Sequence, residues 1–264
     1  MRRWMALSLM ALVVTSTAFA QDARLRRLGT GDDARPWEAV GRLNIGGNGF
    51  CTGALIAPKM VLTAAHCLFD QTTGARIDHT EIEFLAGWRN GRALAYRTVR
   101  RAVVHPDYAM ADQLSSDGVR NDLALLELDH PVRDGKIRPF DTAARPQRGA
   151  QVGVVSYGKG RSEAPSLQEL CRVLAQQDGV LVTSCTVDFG SSGAPIFVVK
   201  DGTPRIVSVV SAKAEVDGVA VSLGTSLGTP LAQLQAEMVA QKGIITPRVA
   251  AGTRNDTGAK FLKP

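Results

Sequence analysis

The chain holds 264 residues, 45% of them hydrophobic and only 5% aromatic, with 26 Gly, 12 Pro and 4 Cys. That profile excludes collagen-like, disulfide-dense and wholly disordered classes, and the length gives room for one or two domains with a sizeable core. The 31 Lys and Arg outnumber the 25 Asp and Glu to give a net charge of +6, a balance that by itself suggests an anionic partner.

Residues 1–20 qualify that balance. Arg2 and Arg3 precede an apolar run from Trp4 to Val14 and the small-x-small site Ala18-Phe19-Ala20, the order of a secretory signal. The run is shorter than the roughly 20 apolar residues a spanning helix needs, and no other segment has that length either. This segment carries two of the basic residues and no acid, so without it the net charge falls to +4. The remaining basic residues gather at Arg24, Arg26 and Arg27, between Arg89 and Arg101, and in a tail from Lys242 to Lys263. No nucleic-acid motif accompanies them, so they read as solvated surface, with neither nucleic acid nor membrane expected as a partner.

Residues 21–35 are polar and charged, and are expected to be a flexible lead-in or pro-segment. Strand-like runs then follow at Gly53–Ala57, Met60–Leu62, Glu81–Phe84, Tyr96–Val99, Val103–Val104 and Leu123–Leu128, separated by Gly, Pro, Asn and Asp. Pro131, Pro139 and Pro146 disfavour regular structure and place a linker over 131–148. A second series lies at Gln151–Tyr157, Val180–Val187, Ile196–Val199, Ile206–Val210 and Val219–Leu223. Many short strands with frequent turns predict sandwiches or barrels, and two strand-rich halves of similar size predict two similar domains. Leu231, Leu234 and Met238 fall at i, i+3 and i+7, the face of an amphipathic helix, and residues 243–264 are expected to be a mobile tail.

Export bears on the cysteines, because disulfides persist outside the reducing cytosol. Four cysteines allow three pairings, of which sequence proximity favours Cys51–Cys67 and Cys171–Cys185. Zinc is the rival reading, but no Cys-x-x-Cys pair supports it.

Three motifs carry the chemistry: Thr63-Ala64-Ala65-His66-Cys67, Asn121-Asp122-Leu123-Ala124-Leu125-Leu126 and Gly190-Ser191-Ser192-Gly193-Ala194-Pro195. In the chain order His, Asp, Ser they resemble the chymotrypsin/trypsin-like serine proteases. The resemblance runs from about Pro36 to Leu231. Pro36-Trp37-Glu38-Ala39-Val40 resembles the family's opening strand, Cys51 to Cys67 its histidine-loop disulfide, and Val104-His105-Pro106-Asp107-Tyr108 a strand-end motif ahead of the aspartate. It implies an all-β fold of two six-stranded antiparallel β-barrels with a C-terminal helix, spanning 36–130 and 149–242. It also implies a monomeric, secreted or periplasmic endopeptidase acting on proteins or peptides without a metal or cofactor.

A serine hydroxyl is a poor nucleophile at neutral pH, so the resemblance assigns Ser192 as nucleophile, His66 as its base and Asp122 as the group that orients the imidazole. The backbone N–H groups of Gly190 and Ser192 would form the oxyanion hole. His79 and His130, beside acids in turn-like contexts, read as solvated, and His105 as structural. Asp107, Asp117 and Asp129 compete with Asp122, but only Asp122 opens a long apolar strand. Ser191 is the alternative nucleophile.

Ser191 also departs from the family pattern, since animal members place an aspartate before the nucleophile to receive a newly freed N-terminal amine. Its replacement points to the bacterial, glutamyl-endopeptidase-like branch and predicts that cleavage after Arg27 changes activity little. By the same resemblance Thr186 falls at the base of the specificity pocket, with Asp188, Ser211 and Lys213 around it. Lys213 permits an acidic substrate side chain, Asp188 a basic one, and a small neutral or apolar residue is a third option. A non-catalytic binding or scaffold protein on the same fold is the alternative to the enzyme, and an esterase-like acyl hydrolase a minor third.

Overall fold

The computed structural model describes residues 25–240 except 48, 114, 134 and 217. The expected signal segment at 1–20 and tail at 243–264 lie outside the described residues. A short strand β1 (Arg26–Arg27), a one-turn helix α1 (Gly31–Ala34) and a 3-10 turn (Arg35–Trp37) lead into six strands: β2 (Val40–Ile45), β3 (Phe50–Ala57), β4 (Met60–Thr63), β5 (Ile82–Ala86), β6 (Ala95–Val104) and β7 (Ala124–Leu128). They close into an antiparallel barrel in the order β2-β3-β4-β7-β6-β5.

The second barrel is built from β8 (Gln151–Ser156), β9 (Ser166–Gln177), β10 (Val180–Thr183), β11 (Pro195–Lys200), β12 (Thr203–Val216) and β13 (Val219–Ser226). Its order is β9-β10-β13-β12-β11-β8, closed by pairing of β8 with β9, while β1 pairs with the other edge of β9. Helix α2 (Ser116–Asn121) precedes β7, and helix α3 (Gly228–Ala240) ends the described chain. The two expected barrels and C-terminal helix are therefore present.

Some strands, such as β6, alternate in burial, while β3, β7 and β12 are buried in continuous runs. In β6 the buried positions are Ala95, Val99 and Val103, all of one parity, and its pairing with β7 shifts register at a bulge between Val99 and Arg101. Leu231, Leu234 and Met238 form the buried stripe of α3, which packs on β6 and β7. Three aromatic rings join the barrels: Trp37 ahead of β2, Phe140 from the connection and Phe197 of β11. Phe197 stands 5.0 Å from Trp37 and 4.7 Å from Phe140 between ring centroids. Truncating such a buried ring to Ala costs about 3–5 kcal/mol.

Three sequence expectations need correction. Pro36 to Ala39 is not strand: Pro36 sits at the start of a 3-10 turn, where its fixed φ fits and its missing N–H is not needed, so the barrel opens only at Val40. The segment 25–35 is anchored to the second barrel, because Arg26 and Arg27 pair with Leu167 and Ser166 and Leu28 is fully buried with its N–H donated to Pro165 O at 2.9 Å. The run from Val180 to Val187 stops as a strand at Thr183, where the chain turns to deliver Cys185 to its disulfide.

Candidate active site

Two disulfides frame the site as sequence proximity favoured: Cys51–Cys67 and Cys171–Cys185, with S–S distances of 2.07 and 2.11 Å. The first ties β3 to the 3-10 turn Ala65–Leu68 that carries His66. Both sulfurs beside His66 are thereby committed to each other, which removes them as metal ligands.

Asp122 arrives at the C-terminal end of α2. Ser115 caps that helix, its Oγ accepting the Gly118 N–H at 2.9 Å, and Asp122 leaves helical geometry at ψ 66°. Its side chain is wholly excluded from solvent. The carboxylate accepts three hydrogen bonds, from His66 N at 2.8 Å, His66 Nδ1 at 2.7 Å and Ser211 Oγ at 2.5 Å. An ionised carboxylate can only accept, so this contact favours the imidazole tautomer with its proton on Nδ1 and its lone pair on Nε2. Burial, followed by the nearby Asp122 carboxylate, raises the Tyr108 phenol well above its ordinary value and keeps it neutral.

Ser192 is half-buried on the turn between β10 and β11. Among the described residues its hydroxyl makes no hydrogen bond; it is placed by its backbone. Ser192 O accepts the Thr52 N–H at 2.8 Å, and Gly193 N donates to Val210 O at 2.8 Å. Thr52 adjoins Cys51, and Val210 adjoins Ser211, so both anchors lead back to the His66–Asp122 pair. Gly193 has φ +77°, and a Cβ there would fall 2.1 Å from Thr63 Oγ1 and 2.3 Å from Thr52 O, so only glycine admits this approach to the histidine-bearing segment.

Gly190 has φ +89° and lies under the Phe50 ring, where a Cβ would come within 2.3 Å of ring carbon. The N–H of Ser191 goes to Asp188 O and that of Gly193 to Val210 O. Among the described residues, the N–H groups of Gly190 and Ser192 have no acceptor within the protein, an arrangement suited to an external oxygen.

The competing histidines lie elsewhere. His79 and His130 pair with their neighbours Asp78 and Asp129 at the surface. His105 is buried, its Nε2 on Gln233 Oε1 at 2.8 Å and its Nδ1 receiving the Asp107 N–H at 3.3 Å. Asp117 is exposed and paired with Arg120. Ser191 is fully buried and hydrogen-bonded, which withdraws it as an alternative nucleophile.

The expected pocket residues separate. Ser211 joins Asp122, whereas Thr186 is exposed with its N–H on Gln168 Oε1 at 2.8 Å, unlike a pocket floor. Lys213 and Asp188 neutralise each other across 3.3 Å, and Lys213 Nζ also lies 4.6 Å from the centre of the exposed Phe189 ring. Sequence reasoning missed Arg161, Thr52 and Thr225, all of which bond into the site from outside the three motifs; their partners are distant in sequence and no local pattern marks them.

A family model described as Trypsin matches residues 29–222. Complement C1r subcomponent-like protein of Rattus norvegicus is 37% identical over 106 residues, 37% of this chain and 20% of that protein. Serine protease 56 of Homo sapiens is 31% identical over 159 residues, 58% of this chain and 24% of that protein. The matched region thus spans a quarter or less of these curated relatives. A solved Glu endopeptidase in complex with MPD superposes with a TM-score of 0.66 at 15% identity, covering 82% of this chain and 97% of that one, which is a likeness of fold. With its family match covering most of the two barrels, the chain belongs to the trypsin family of serine proteases.

Proposed function

We propose that this protein is an exported serine endopeptidase that cleaves proteins or peptides as a self-contained monomer. His66, Asp122 and Ser192 act as base, orienting acid and nucleophile. His66 Nε2 takes the proton of Ser192 Oγ as that oxygen attacks the scissile carbonyl carbon. The carbonyl oxygen becomes an oxyanion held by the N–H groups of Gly190 and Ser192, each donor contributing about 3–4 kcal/mol in comparable sites. Collapse breaks the C–N bond, His66 Nε2 returns the proton to the leaving amine, and an acyl-enzyme on Ser192 remains. Water then repeats the sequence, giving its proton to His66 and its oxygen to the acyl carbon, and Ser192 Oγ leaves reprotonated.

The observation that carries this reading is the fully buried Asp122 carboxylate holding both His66 N and His66 Nδ1. Burying a charge is costly unless it is satisfied, and here three donors satisfy it while fixing the imidazole tautomer that a base requires. Ser192 Oγ engages His66 when substrate fills the site, as catalytic hydrogen bonds commonly tighten on binding. Export is supported by the two disulfides, and among the described residues no helix is long and apolar enough to cross a membrane.

A fluorophosphonate probe tests the reading. Wild-type protein is expected to be labelled on Ser192 and to cleave casein, with both lost in Ser192→Ala. Absence of labelling in folded wild type would establish the non-catalytic scaffold reading instead, and ester hydrolysis without casein cleavage the esterase reading.

A further inference from the structure

Arg161 carries a part of the site that no motif announced. It closes the turn after β8, its N–H reaching Gly158 O at 2.9 Å. Its guanidinium lies over Gly158, where an added Cβ would come within 2.7 Å of Arg161 Cζ, so the backbone is bare to let the cation in. Nη1 donates to Ser156 O at 2.6 Å, and Nη2 donates to Ser156 Oγ at 3.0 Å and Ser191 Oγ at 2.9 Å. The guanidinium is half-buried and Ser191 fully so.

Ser191 relays this contact through the turn. Its hydroxyl oxygen also accepts the Asp188 N–H at 3.3 Å, and its proton lies toward Tyr157 O at 3.2 Å. One hydroxyl thereby ties the beginning and end of the 188–191 turn to a fixed cation. The segment bearing Arg161 is itself clamped by the first barrel, with Trp88 Nε1 on Ser162 O at 3.0 Å, Asn90 N on Glu163 O at 2.6 Å and the Tyr157 hydroxyl on Trp88 O at 2.8 Å. Burial lowers the Arg161 pKa, opposed by the Asp188 carboxylate, but a guanidinium remains charged at neutral pH.

We propose that Arg161 is a built-in positioning residue which, through Ser191, holds the N–H groups of Gly190 and Ser192 in oxyanion-binding geometry without any cleavage that frees a new N-terminus. This rests on the reading of Ser192 as nucleophile. The N-terminal segment supports it: cleavage after Arg27 would make the Leu28 nitrogen an amine, but that nitrogen is engaged by Pro165 O in a buried position, while Ser191 already has its cation. A part-buried, charge-assisted hydrogen bond is a stiff tether, and oxyanion donors act only where they are preorganised.

The test is a double-mutant cycle in the full chain, with Arg161→Met and Ser191→Ala alone and together. It reads kcat and KM on p-nitrophenyl acetate, thermal melting, and labelling of wild type by fluorophosphonate. Arg161→Met is expected to lose about 10- to 100-fold in kcat with KM within about twofold, because the substrate still binds while the transition state loses its donors. Ser191→Ala should add little on the Arg161→Met background. Chain uncleaved at Arg27 should match cleaved chain within about twofold in kcat, since no new amine is required. A folded Arg161→Met with kcat near wild type, losses that multiply in the double variant, or a tenfold rise on cleavage would each overturn the proposal. If Arg161→Met does not fold, Arg161→Lys takes its place in the same cycle, judged by the same requirement of non-additivity. Wild type that is not labelled defeats the protease reading and this inference with it; labelled wild type with an indifferent Arg161 defeats this inference alone.

Discussion

The Thr225 hydroxyl of β13 lies 2.6 Å from the carbonyl oxygen of Val119 in α2, so the second barrel grips the helix by which the first barrel delivers Asp122. The same hydroxyl is 3.1 Å from Asp122 O, and its single proton serves both acceptors. Ser211, also from the second barrel, holds the Asp122 side chain. Thr225→Val keeps the shape and removes the donor, leaving buried carbonyls short of a partner at a cost of about 1–3 kcal/mol. Melting should fall by about 3–10 °C. If about 1 kcal/mol of that loss reaches the transition state, kcat drops about fivefold with KM little changed. Wild-type kcat in Thr225→Val would show that Asp122 is held by Ser211 and α2 alone.

Asp122→Asn tests the tautomer argument. An amide nitrogen placed against His66 would favour the imidazole form whose Nδ1 accepts and whose Nε2 carries the proton, leaving no base for Ser192. In Ser-His-Asp enzymes generally this change lowers kcat by about 10⁴ with geometry intact. Steady-state kinetics on a peptide substrate, with a circular dichroism spectrum matching wild type, should reproduce a loss of that order; a loss under tenfold would mean that Asp122 does not set the tautomer.

The two disulfides should differ in what they protect. They join residues 16 and 14 positions apart, so chain-entropy stabilisation is similar, about 3 kcal/mol each. Cys51–Cys67, however, connects Thr52, which holds Ser192 O, to the His66 turn, whereas Cys171–Cys185 braces the core of the second barrel. Replacing each pair by serines is expected to lower melting by about 6–12 °C in both cases. At 25 °C, only loss of Cys51–Cys67 should also depress kcat; equal kcat in the two folded variants would contradict the distinction.

The sequence was most legible where a motif or periodicity is local. His66, Asp122 and Ser192 stand in short motifs, and the Leu231, Leu234 and Met238 stripe repeats within one helix. What escaped is made across distance. Strand β9 was not foreseen because its buried and exposed positions do not alternate strictly: Ser166, Leu167 and Gln168 are all buried while Glu169 and Leu170 are both exposed, and its pairing with β8 and β10 shifts register. Leu28 stands between Arg27 and Gly29, with no pattern to announce its burial or the bond from its N–H to Pro165 O. Arg161 reads as one more surface cation until the fold brings Ser191 to it across 30 residues.

Burial of Leu28 carries its own prediction. It is fully enclosed, so Leu28→Ala should cost about 2–5 kcal/mol by lost transfer energy and the cavity left behind. Thermal melting gives the readout. A change below about 1 kcal/mol would mean that this segment lies loosely on the barrel, as the sequence alone suggested.

Lys213 and Asp188 bear on substrate choice. Each was a reason to expect a charged substrate side chain, and their mutual contact at 3.3 Å leaves neither charge isolated. Wild type is therefore expected to cleave after small neutral or apolar residues in a peptide library, without strong charge preference. Lys213→Ala should shift cleavage toward basic residues and Asp188→Asn toward acidic ones. The pair is half-exposed, so the shift is about fivefold, matching the roughly 1 kcal/mol of a solvent-screened ion pair. The Phe189 N–H, joined by the Lys213 ammonium and the Arg161 guanidinium, holds the Asp188 carboxyl below its ordinary range against the opposing effect of burial. A depressed carboxylate pKa gives stability that is present above the unfolded value and lost as pH falls through the folded one. The neutral preference should accordingly persist through neutral and mildly acidic pH and give way only below the ordinary carboxylate range. A library profile that favours Glu or Arg strongly in wild type at pH 7 would show that the pair opens to substrate.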